Sequence, residues 1–95
     1  MASGPLKAAE IIHKNFTFTN VPITQRSAQG AYYSTITTMD VTVAGYTPIG
    51  VSLVTWDGWV AVAEPYIRTD NKIAFVSDVS QTLNSVMLKV IYIKE

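Results

Sequence analysis

One histidine, seven carboxylates and ten aromatic side chains are the residues of this chain whose types can do chemistry. His13 has no second histidine and no cysteine to join it, so it cannot anchor a zinc site of the usual ligands; it reads as solvated or simply packed. Glu10, Asp40, Asp57, Glu64, Asp70, Asp78 and Glu95 are scattered. Glycosidic hydrolysis needs two carboxyl groups held across one bond, and nothing in the spacing pairs them. Asp57, Glu64, Asp70 and Asp78 fall at expected turns or strand ends, and Asp57 and Asp70 are explained as turn formers. No Asp-x-Asp-x-Asp-Gly run offers a calcium loop. Gly50-Val51-Ser52 is half of a nucleophile elbow, without the second glycine or the strand-to-helix turn that an elbow needs. Asn15-Phe16-Thr17 matches a glycosylation sequon, which reads as accidental beside a start that has no secretory apolar stretch. The expectation is therefore a chain without catalytic residues, metal or cofactor.

The aromatic set carries a sharper hypothesis. Tyrosine and tryptophan combine an apolar body with a polar tip, the chemistry used at protein interfaces and on sugar rings. Tyr46 and Tyr92 are expected to fill the core. Trp56, Trp59, Tyr32, Tyr33 and Tyr66 are the candidates for interface or glycan contact.

Strands must position these residues, because Val, Ile and Thr make up 31 of the 95 residues and such side chains suit a pleated surface. Pro5 to Lys14 is the one helix candidate, with Ser3 as its cap and Gly4 weakening it; an irregular arm fits equally. The first strand is expected over 14–19, a loop over 24–30, a second strand over 31–38 and a short extended piece over 40–43. After the break at Gly45-Tyr46-Thr47-Pro48, strand character resumes from Ile49 to Trp56. Trp56-Asp57-Gly58-Trp59 signals a two-residue hairpin with Gly58 at positive φ. That register puts Val51, Leu53, Val60 and Val62 on one face, and Val54, Trp56, Trp59, Ala61 and Ala63 on the other. A second two-residue hairpin about Asp70-Asn71 sets Tyr66 opposite Phe75. Residues 77–84 read as a loop, and Ser85 to Lys94 as a central strand, apolar on both faces. The reading is an all-β antiparallel sandwich or jelly-roll-like barrel of about seven short strands, with an N-terminal arm over 1–13 and a single domain over 14–95.

Composition bounds the partners. There is no cysteine, so disulfides and thiolate metal sites are excluded. Seven basic residues balance seven acidic ones, so no net field steers the chain to nucleic acid or to an anionic membrane, and no apolar run is long enough for membrane insertion. Charged residues are only 15% while hydrophobic ones are 48%. A chain so balanced hides more than one apolar face, and burial in an oligomer is one way to do so.

Asp40-Val41-Thr42-Val43, then Gly45-Tyr46-Thr47-Pro48-Ile49-Gly50-Val51, then Leu88-Lys89-Val90-Ile91-Tyr92-Ile93-Lys94 resemble the small terminal β domains of bacteriophage and prophage tail proteins, found in fibre, baseplate and minor structural proteins. The resemblance covers roughly residues 40–94. It implies a β-sandwich, commonly a homotrimer, that serves as a viral structural part in virion assembly or in receptor binding and host attachment. It also implies synthesis in a bacterial cytoplasm, residence in the virion tail, and other tail proteins or a bacterial surface glycan as partners. It supplies no catalytic residues, and the Trp56-Asp57-Gly58-Trp59 turn lies outside its pattern. The expected function is a non-enzymatic tail domain that oligomerises through an apolar sheet face. The alternative is a monomeric carbohydrate-binding module with a stacking platform of Trp56, Trp59 and a tyrosine.

Overall fold

The computed structural model describes residues 10–35, 37–58 and 63–95. Among the described residues six strands follow in chain order: β1 (Ile11–Arg26), β2 (Tyr33–Thr35), β3 (Tyr46–Asp57), β4 (Ala63–Ile67), β5 (Ile73–Ser77) and β6 (Gln81–Lys94). All pair antiparallel in one sheet of order β3-β6-β1-β2-β5-β4. The all-β expectation holds, but the seven-strand sandwich or jelly roll is replaced by one nearly closed, barrel-like sheet. Connectivity explains the closure. β3 and β4 stand at opposite ends of the strand order, yet only residues 58–62 join them. A six-step chain reaches at most about 20 Å, so the sheet must curl until its two edges meet.

β1 and β6 run longer than the apolar pattern suggested, whereas the strand expected over 31–38 is, among the described residues, only Tyr33–Thr35. β1 begins inside the supposed arm or helix, at Ile11, and passes through Pro22 into the supposed loop as far as Arg26. β6 begins at Gln81, which reduces the expected loop over 77–84 to residues 78–80. The rest of the arm, residues 1–9, lies outside the described residues. Two long strands hide their period because each changes face midway. On β1, Phe16 and Phe18 pack against the core before Asn20, and Val21 and Ile23 are buried after it. On β6 the buried set changes in step, from Leu83 to Val86, Leu88, Val90 and Tyr92. Pairing keeps one register across the change, with Thr19 opposite Ser85 and Val21 opposite Leu83. Asn20 sits there at φ 55°, a left-handed conformation that asparagine tolerates better than most residues. The bend it makes lets one strand pair serve both halves of a curled sheet.

β3 reaches the core by two bulges. Its register with β6 shifts between Pro48 and Gly50 and again between Leu53 and Thr55, leaving Ile49 and Val54 as the extra, exposed residues. Pro48, Val51, Leu53 and Trp56 consequently stand opposite Tyr92, Val90, Leu88 and Val86, all four of which are fully buried. Directly opposed residues share a face. The sequence reading had put Trp56 on the face opposite Leu53; the bulge at Val54 turns it to the same side.

The second hairpin is also corrected. Ile67 pairs with Ile73 and Tyr66 with Ala74, not with Phe75. The Asn71 amide donates to the Arg68 carbonyl and the Arg68 amide to the Lys72 carbonyl, with Asn71 at φ 65°. That is a three-residue loop ending in a left-handed residue, one residue longer than expected, and a single-residue slip exchanges the faces. Phe75 is thereby buried and Tyr66 exposed.

The expected extended piece over 40–43 forms no strand. The Asp40 carboxylate accepts bonds from the Thr42 amide (2.9 Å) and hydroxyl (2.6 Å), which ties the backbone into a turn. Those bonds hold the Asp40 carboxyl below the usual carboxylate range. Met39 exchanges both backbone bonds with Ile73, Val41 enters the core, and the Val41 carbonyl accepts the buried Tyr92 hydroxyl. Burial is the main reason that the Tyr92 phenol titrates above its ordinary value. Tyr46 is only partly buried: its hydroxyl donates to Glu10 at 2.7 Å.

Candidate functional site

The short strands β2, β5 and β4 present a small outer face, and alternation decides what it carries. Tyr33, Ser77 and Ala63 form one cross-strand row; Ser34, Val76 and Glu64 form the next. Ala63 is buried and Tyr33 packs against the core, so that row points inward. The Ser34, Val76 and Glu64 row therefore points outward, joined by Tyr66, two residues along β4 from Glu64 and opposite the small Ala74. Tyr32, just before β2, and Asp78, just after β5, complete this side. Tyr32, Glu64, Val76, Ser77 and Asp78 line a hollow of about 400 Å³.

Two serines hold its rim. The Ser77 hydroxyl accepts from the Val79 amide at 3.2 Å and from Gln81 Nε2 at 2.8 Å, fixing the turn that carries Asp78. The Ser27 hydroxyl accepts from the Ala31 and Tyr32 amides at 3.0 and 3.3 Å, while the Ser27 amide donates to the Tyr32 carbonyl. This closes the 27–32 loop, with Gly30 at φ 71°, and fixes where Tyr32 leaves it.

Of the five expected contact residues, the structure brings Tyr32 and Tyr66 to one face, exposed to 44% and 42%. Tyr33 is partly buried against the core, because one step of strand alternation turns it inward. Trp56 is on the other side of the sheet, at the open margin of the core and 49% exposed. Trp59 and the pairing expected of residues 59–62 lie outside the described residues. Ala63, expected on the tryptophan face away from Leu53, is a core residue.

Glu64 and Asp78, singled out in the sequence only as turn or strand-end acids, share the hollow. The ion pairs among the described residues are Arg68–Asp70 (3.4 Å) and Lys94–Glu10 (3.6 Å), and neither involves them. Two carboxylates, a phenol ring and a serine-held rim can accept hydrogen bonds from hydroxyl or ammonium donors beside an aromatic face. Among the described residues no group of three or more His, Cys, Asp or Glu is arranged to hold a metal ion. A second hollow of about 240 Å³, between the 42–48 segment and the Asp70-Asn71 turn, has its acids engaged: Asp70 with Arg68, and Glu95 with the Thr47 hydroxyl at 3.0 Å. No family model, curated protein or solved structure matches this chain.

Proposed function

We propose that this chain is a non-enzymatic attachment domain of the phage-tail type, which binds a bacterial surface glycan in the hollow lined by Tyr32, Glu64, Val76, Ser77 and Asp78. The observation that carries the reading is the hollow itself, with exposed Tyr32 on its wall and Tyr66 on the same face. Its volume of about 400 Å³ falls within the rough 300–1,000 Å³ of small-ligand sites. Tyrosine faces stack on sugar rings, and carboxylates accept sugar hydroxyls. The tail setting rests on the resemblance over residues 40–94, three segments that are neighbours in the fold: Tyr46 to Val51 pair with Val90 to Lys94, and Tyr92 bonds to Val41.

Assembly belongs to the same proposal. Ile11, Ile93 and Thr47 form an outer row on the far side of the sheet, beside the bulged Ile49, and Ile11 and Ile49 are each more than half exposed. Such a face suits a homotrimer contact. The test joins light scattering with calorimetric titration of bacterial surface polysaccharides. A trimer whose glycan binding is lost in Tyr32→Ala and Tyr66→Ala is the expected result. A monomer that binds points to the carbohydrate-binding module instead. Release of reducing ends from the polysaccharide would replace binding with hydrolysis, and absence of binding to every polysaccharide would overturn the attachment role.

A further inference from the structure

Resting on that reading of the hollow, we infer that its ligand is an amino sugar whose free ammonium group is received by Glu64 and Asp78. Four of the seven acids are engaged within the chain. Glu10 takes Lys94 and the Tyr46 hydroxyl, Asp40 takes Thr42, Asp70 takes Arg68, and Glu95 takes Thr47. Glu64, Asp78 and Asp57 remain, and Glu64 and Asp78 line one hollow together. A cation seated in the hollow can gain charge-assisted bonds from both carboxylates.

Aromatic placement narrows the class. Tyr32 is on the wall of the hollow, and Tyr66 stands two residues from Glu64 on the same side of β4. Ring faces attract a cation and also pack against the C–H face of a pyranose, so an ammonium borne on a sugar ring satisfies both at once. Val76, opposite Glu64, is the apolar part of the hollow's lining, on which the C–H face of a ring can rest. A lysine side chain offers the charge without the ring and leaves the tyrosine faces less covered. Ser77, already accepting two bonds, has its O–H as the remaining polar function.

Calorimetric titration with a β-1,4-linked glucosamine oligomer, its fully N-acetylated counterpart of equal length, and oligolysine separates the cases. The glucosamine oligomer is expected to bind at least tenfold more tightly than the acetylated one, with affinity that falls as salt rises. Glu64→Gln and Asp78→Asn should remove that advantage while circular dichroism stays that of the wild type. Equal or tighter binding of the acetylated oligomer overturns the ammonium inference and leaves glycan attachment standing. Glucosamine binding that both variants retain removes these two carboxylates from the site. Binding of oligolysine alone overturns the inference and the glycan reading together.

Discussion

Gly58 is where a single added methyl group should be felt most, and the magnitude follows from two separable contributions. Its φ is 84°, and a Cβ built there lies 2.8 Å from both the backbone nitrogen and Cγ of Asn84, and 2.9 Å from its Nδ2. Gly45 supplies the control, since at φ 81° its Cβ would meet nothing within 4 Å. Gly45→Ala therefore measures left-handed strain alone, about 1–2 kcal/mol. Gly58→Ala carries the same strain plus the clash, and overpacking of this kind adds about 1–3 kcal/mol. The stiffening of the unfolded chain by alanine is common to both and cancels in the comparison. For a domain of this size the difference corresponds to roughly 5–20 °C in melting temperature. Urea unfolding followed by circular dichroism, with an unchanged slope, gives both free energies. Adding Asn84→Ala to Gly58→Ala should recover part of the loss and not all of it, because the backbone nitrogen remains. Equal destabilisation by the two glycine variants would refute the close packing of Gly58 on β6.

Three further outcomes are expected. Tyr92→Phe leaves the Val41 carbonyl without its buried donor and should cost about 1–3 kcal/mol in the same unfolding assay; a neutral result would mean that the bond does not form. Trp56→Ala should lower chain stability by about 2 kcal/mol, roughly half the full-burial figure for a side chain 49% exposed on the core side, without changing the assembly mass; dissociation at unchanged chain stability would make it an interface residue. The Glu10 carboxyl is held below its ordinary value of 4.5, first by the Tyr46 hydroxyl and then by Lys94, whereas the Tyr46 phenol is raised above 10 by Glu10. Their contribution should be complete between those two values, fall away as pH drops through the folded Glu10 value, and fall again as pH rises through the folded Tyr46 value. Glu10→Gln should flatten both limbs of the stability–pH curve, and a curve that keeps its shape would show the pair to be inert.

Composition and local chemistry by themselves determined the all-β class, the central position of β6, the positive φ of Gly58 and the turn at Asp70. These are short-range matters: β-branched side chains favour a pleat, an Asp-Gly step accepts positive φ, and a strand apolar on both faces needs neighbours on both edges. Which residues share a face was decided only by the tertiary structure. The bulges at Ile49 and Val54, the left-handed Asn20 and the extra residue in the Asp70-Asn71 loop each shift alternation by one, and a shift of one sends every later side chain to the other face. Trp56 turned inward and Tyr66 outward for that reason, whereas Tyr32 and Tyr33, adjacent in the chain and both singled out as contact aromatics, were separated by strand alternation alone. Glu64 and Asp78 are fourteen residues apart in the chain. They line the same hollow because β4 and β5 pair and because Ser77 anchors the turn beyond β5, long-range and side-chain events that carry no periodic signal in the sequence.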